Sequence, residues 1–110
     1  MIDSRNSGKA AERRVAKDMK GIRVGILGDD DVRCPENYKG IGISFETKTR
    51  KALPKQLKQW YEQAVRNVYK NNIPVLVLKE KPTEWKDALV ILSYEHFLRY
   101  MVYFYIKEVT

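Results

Sequence analysis

The chain has 110 residues, 44% of them apolar, which is enough for one small core and leaves no room for a second sizeable domain, so 1–110 reads as a single domain. A formal charge of +7 points to a polyanionic partner, nucleic acid first, because clustered Lys and Arg gain affinity by releasing phosphate counterions. One cysteine, Cys34, excludes an internal disulfide, no apolar run approaches the roughly 20 residues needed to cross a bilayer, and Met1 to Arg5 contains no apolar leader, so the expected compartment is the cytoplasm and no membrane partner is expected.

In chain order, Ser7 to Lys20 is rich in helix formers, with Ser7 as the starting cap and Gly21 where a helix commonly ends. Ile22 to Leu27 alternates as a strand does, and Gly28 opens the acidic turn Asp29-Asp30-Asp31. Val32-Arg33-Cys34 leads into Pro35 to Gly40, a loop suited to joining antiparallel strands, and Ile41 to Lys48 is the returning strand. Leu53 to Lys70 carries a helical stripe of Leu57, Tyr61, Ala64 and Val68, with Pro54 in its first turn. Asn71-Asn72 breaks that helix, and Ile73 to Leu78 reads as a strand buried on both faces, Pro74 lying near its start. Beyond the loop Lys79 to Lys86, Ala88 to Leu92 is a further strand. From Tyr94 a last helix sets Phe97, Tyr100, Met101 and Phe104 on one side. The order αβββαββα predicts an α/β fold with a mixed central sheet flanked by helices.

Three groups of residues carry chemical interest. Glu12, Val15, Ala16 and Met19 fall at i, i+3, i+4 and i+7, so Glu12 shares the helix face that packs on the sheet and needs a partner there, either an arginine or lysine at the core margin or a metal. Along the returning strand, Ile41, Ile43, Phe45 and Thr47 take one face and Gly42, Ser44, Glu46 and Lys48 the other. Glu46 and Lys48 then point the same way, roughly 6.5 Å apart along the strand, either as an ordinary solvated face or as a place for a cation and a phosphate. A second Glu-x-Lys triplet, Glu84-Trp85-Lys86, sits in a loop without an acid on a paired strand and is set aside. Asp29, Asp30 and Asp31 read as a solvated turn by default. If the Pro35 to Gly40 loop closes a hairpin, however, Asp31 comes across from Ser44 to Glu46, where carboxylate oxygens suit Mg²⁺.

Together, Gly8-Lys9-Ala10-Ala11-Glu12-Arg13, Asp31-Val32, Phe45-Glu46-Thr47-Lys48 and Ile73-Pro74-Val75-Leu76-Val77 resemble the PD-(D/E)XK nuclease superfamily, and within it the archaeal-type Holliday junction resolvases and their phage relatives. The resemblance runs from about Ser4 to Leu98. It implies a restriction-endonuclease-like core and a Mg²⁺-dependent endodeoxyribonuclease, with Mn²⁺ able to substitute. Glu12, Asp31 and Glu46 would hold the metal, and Lys48 would align or activate the attacking water. Arg13 would contact the DNA backbone, and a glutamine of the second long helix, Gln63 in preference to Gln59, would support the site. Two features depart from the pattern: Asp30 stands where a proline is expected before the aspartate, and the stretch from Glu12 to Asp31 is short for an archaeal resolvase.

Around these acids lie Ser4, Arg5, Lys9, Arg13, Lys17, Arg50, Lys51, Lys55 and Lys58, either scattered solubilising charge or a surface for DNA phosphates that positions without reading sequence. Cutting a four-way junction symmetrically takes two active sites, most simply in a C₂ homodimer. The apolar stripe of Phe97, Tyr100, Met101 and Phe104, with Val102 to Ile106 around it, offers either core or a dimer contact. The leading expectation is a junction-resolving nuclease in the cytoplasm of a bacterial, archaeal or phage-infected cell. Its alternatives are a phage or mobile-element nuclease acting on flaps, nicks or duplex, and a binding module of the same fold that does not cut. With only Cys34 and His96 as softer ligands, a zinc site is not expected.

Overall fold

A computed structural model describes residues 4–37 and 39–101. Its elements follow the expected order: helix α1 (Ser4–Met19), strands β1 (Ile22–Arg23), β2 (Val32–Cys34) and β3 (Ile43–Phe45), helix α2 (Lys55–Arg66), strands β4 (Leu76–Leu78) and β5 (Leu89–Ile91), and helix α3 (Tyr94–Met101). Two compact units result. The described residues through Arg50, together with Leu98–Met101, make one, and Lys51–Phe97 makes the other. Among the described residues the fold is mixed α/β with two small antiparallel sheets, β1-β2-β3 and β4-β5, where the element order led to one mixed sheet. No described helix is long and apolar enough to cross a membrane.

In the first unit, α1 lays the face bearing Ala11, Glu12, Val15, Ala16 and Met19 against β1 and β2. Among the described residues, the buried hydrophobic ones, Met19, Val24, Val32 and Cys34, all lie there. The end of α1 departs from expectation in an informative way. Lys20, not Gly21, takes the left-handed conformation, at φ 54°. The helix then closes through Gly21 N–H to Ala16 C=O at 2.9 Å and Lys20 N–H to Lys17 C=O at 3.3 Å. Gly21 is needed for space instead: a Cβ there would stand 2.9 Å from both the Arg33 carbonyl oxygen and Cys34 Sγ.

β1 is shorter than the alternating run Ile22 to Leu27 implied. Val24 already turns helical (φ −76°, ψ −40°), leading into a 3-10 turn over Gly25–Leu27, and Gly25 has φ +59°. The β2–β3 hairpin forms as expected, antiparallel, with Val32 opposite Phe45, Arg33 opposite Ser44 and Cys34 opposite Ile43. Its loop is shaped by Asn37, whose Oδ1 accepts from the Lys39 and Ile41 backbone N–H groups at 2.9 and 3.1 Å.

In the second unit α2 begins behind Pro54 and half-buries Leu57, Tyr61 and Ala64. It packs on β4. The reading of Ile73 to Leu78 as a strand buried on both faces is corrected. Leu76 and Leu78 are half-buried, but Val75 and Val77 are 43% and 52% exposed. Val77 lies opposite Val90, itself 62% exposed, on the outward face of a sheet only two strands wide. A layer that thin covers one side of its strands and leaves the other to solvent.

Candidate functional site

The hairpin register brings Asp31 to the segment that carries Glu46 and Lys48. Its backbone is fixed on both sides: its C=O accepts from Val24 N–H at 3.1 Å, and its N–H donates to Phe45 C=O at 2.9 Å. The Asp31 Oδ2 accepts from the Thr47 backbone N–H at 2.7 Å and from Thr47 Oγ1 at 3.2 Å. The carboxylate is thus anchored at the residue between Glu46 and Lys48. β3 is shorter than the expected Ile41 to Lys48, and the alternation holds from Gly42 to Lys48, with Ile43, Phe45 and Thr47 half-buried and Gly42, Ser44, Glu46 and Lys48 exposed, but fails at Ile41, which is 52% exposed. Lys48 Nζ lies 3.3 Å from Glu46 Oε1. So exposed a pair adds little stability, which leaves both groups free to engage a ligand.

Glu12 is placed differently. Its Oε2 accepts from Arg23 Nη2 at 3.0 Å and from Arg23 Nε at 3.2 Å, the ion pair at the core margin that was the alternative to a metal. The expected convergence of three acids is not formed: among the described residues no group of three or more His, Cys, Asp or Glu side chains is arranged to hold a metal ion. The physical reason is local. Arg23 projects from β1 to the α1 face on which Glu12 lies, and a half-buried carboxylate takes the nearest guanidinium.

The three consecutive aspartates have three different environments. Asp29 is exposed and has no hydrogen-bond or ion-pair partner among the described residues. Asp31 is bound by Thr47. Asp30 is clamped by Arg33 in two parallel bonds, Nη2 to Oδ1 at 2.8 Å and Nε to Oδ2 at 3.1 Å. The Arg33 hydrogen bonds, with a smaller contribution from nearby Ser44, hold the Asp30 carboxyl down from 3.8 to about 2 against the opposing effect of desolvation. Arg33 is held more firmly protonated in return. Neither Arg23 nor Arg33 was singled out from the sequence. The available signal was an arginine on each of the first two strands, but which acid each one meets depends on the strand register.

The other expected residues divide by location. Lys9, Arg13 and Lys17 stand at i, i+4 and i+8 on α1, exposed and without partners among the described residues, while Asp18 of the same helix is held by Arg14 at 2.7 Å. Arg50 is exposed, its Nη1 donating to the Thr49 carbonyl at 2.9 Å. Gln63, Gln59, Lys51, Lys55 and Lys58 are exposed in the second unit. The side chains of Ser4 and Arg5, and residues 102–106 with Phe104, lie outside the described residues. Of the proposed dimer stripe, Phe97 and Met101 are half-buried and Tyr100 is 44% exposed. His96 is occupied at the start of α3, its Nδ1 2.8 Å from Ser93 Oγ, and burial pushes the Cys34 thiol up, away from reactivity. The set-aside triplet does lie off the strands, Lys86 reaching Glu84 at 3.7 Å around the 3-10 turn Trp85–Asp87. Comparison with protein-family models, with curated proteins and with solved structures returned no match.

Proposed function

We propose that this chain is a Mg²⁺-dependent DNA endonuclease of the PD-(D/E)XK kind that cuts branched DNA, four-way junctions first. The observation that carries the reading is the hairpin register, which anchors Asp31 at Thr47, between Glu46 and Lys48. The element order αβββαββα and the ordered motifs from Gly8 to Val77 support the same reading, including the nuclease core that they resemble.

The donor set fits a hard cation in part. Asp31 and Glu46 supply the carboxylate oxygens that Mg²⁺ favours. Glu12 would complete the set only by exchanging Arg23 for the cation. When bound, the cation supplies positive charge at the scissile phosphate. Lys48, kept beside Glu46, places an ammonium where charge develops on the phosphorus oxygens and orients the attacking water. Thr47 fixes the Asp31 carboxylate through two hydrogen bonds, so this ligand is preorganised. Lys9, Arg13 and Lys17 bind phosphates along one strand: four helical residues rise about 6 Å, close to the distance between phosphates. A C₂ pair of chains supplies the two cuts that resolution requires.

A second reading, a nucleic-acid-binding module that does not cut, is favoured by one observation: Glu12 and Asp30 are both neutralised by arginines. Incubation of labelled junction, flap, splayed and linear duplexes with Mg²⁺, Mn²⁺ or EDTA separates the two. The nuclease reading expects paired nicks placed symmetrically across the junction, in the presence of metal only. Binding without any cut in either metal would leave the module.

A further inference from the structure

The aspartate that stands where a proline was expected is clamped by an arginine of the neighbouring strand. Asp30 is held bidentately by Arg33 of β2, through Nη2 and Nε. Arg33 lies opposite Ser44 in the β2–β3 register. The clamp therefore ties the acidic turn to β2, the strand paired with β3, one residue from Asp31 and its contacts with Phe45 and Thr47. Gly28 makes room for it: a Cβ at that position would stand 2.7 Å from Arg33 Nη2 and 3.3 Å from Asp30 Oδ1.

A proline restrains the chain by covalently fixing φ. A planar guanidinium bound through two parallel hydrogen bonds restrains it by geometry, and lysine cannot reproduce that fork. We infer that Asp30 and Arg33 are positioning residues that hold Asp31 against the Glu46–Lys48 segment, an inference that rests on the cutting site proposed above. Asp30 does not itself serve as a cation ligand, because both of its oxygens are committed to Arg33. Its two neighbours in sequence are thereby separated in role: Asp31 is presented to the site, and Asp29 faces solvent.

The test uses Asp30→Asn, Asp30→Glu, Arg33→Lys and the control Asp29→Asn in the full chain. Single-turnover cutting of a labelled junction is followed across Mg²⁺ concentrations, and Mn²⁺-induced broadening of the Asp31 and Glu46 amide signals is recorded without DNA. Thermal unfolding confirms that each variant is folded. Asp30→Asn and Arg33→Lys are expected to cut at least roughly tenfold more slowly, as misplacement of a reacting group does, with a higher half-saturating Mg²⁺ and unchanged DNA affinity in EDTA. Asp30→Glu, which keeps the charge that Arg33 pairs with, recovers most of the rate, and Asp29→Asn behaves as wild type. Folded Asp30→Asn protein that cuts and binds Mn²⁺ like wild type overturns the clamp and leaves the nuclease intact. If wild type cuts no DNA, the nuclease reading fails, and the broadening alone judges the clamp: a weaker Mn²⁺ effect in Asp30→Asn supports it, an equal effect overturns it.

Discussion

Replacing Gly21 by alanine tests whether this glycine serves backbone conformation or space. The added Cβ would meet the Arg33 carbonyl oxygen and Cys34 Sγ at 2.9 Å, and Val32 Cγ1 at 3.3 Å. None of these is the loose end of a flexible side chain. The carbonyl belongs to a strand paired on both edges, and Cys34 and Val32 are 1% and 0% exposed. The two contacts at 2.9 Å cannot stand without a shift of the backbone or of Cys34, and the one at 3.3 Å must open by a few tenths of an ångström, so the cost should be that of overpacking, about 2 kcal/mol, or roughly 10 °C in the unfolding midpoint of a domain this size. Lys20→Gly should instead stabilise by up to about 1 kcal/mol, since the left-handed conformation is carried by Lys20. Gly8→Ala, with no atom within 4 Å of the new Cβ, should stabilise by a similar amount. Thermal unfolding followed by circular dichroism measures all three. The cost of Gly21→Ala should also shrink in a Cys34→Ala background, where one of the two closest contacts is removed. Gly21→Ala protein as stable as wild type, or a loss on Lys20→Gly as large as that on Gly21→Ala, would refute the argument.

Two further outcomes are expected. Because the folded-state Asp30 carboxyl is held at about 2, below its ordinary 3.8, its ionisation stabilises the fold above pH 4 and that contribution is lost as pH falls from about 4 towards 2; urea midpoints across this window should fall more steeply for wild type than for Arg33→Gln, and equal slopes would count against the Arg33 contact. Neutralising Lys9, Arg13 and Lys17 should lower the salt dependence of duplex binding, measured by anisotropy without Mg²⁺, by roughly 0.9 in log–log slope per residue, whereas an unchanged slope would mean that α1 does not touch the phosphates.

The parts of this architecture legible in the sequence are those set by local pattern. The stripe Glu12, Val15, Ala16, Met19 located the packed face of α1, and the turn-forming Pro35 to Gly40 located the hairpin, hence which residues Asp31 would meet. What escaped depends on tertiary register. Arg23 and Arg33 alternate along strands whose partners no periodicity names, so their capture of Glu12 and Asp30 could not be read in advance. Gly25, at positive φ, cut β1 short although the apolar pattern ran on to Leu27. The apolar run Ile73 to Leu78 read as doubly buried because composition reports hydrophobicity, not how many layers are available to cover it.

The most direct test of the cutting site compares Asp31→Asn and Glu46→Gln with wild type for Mg²⁺-dependent cleavage and, in EDTA, for binding of the same labelled junction. The account predicts that both variants bind as wild type does and that neither cuts. Mg²⁺-dependent nicking at the wild-type rate in either variant would contradict it.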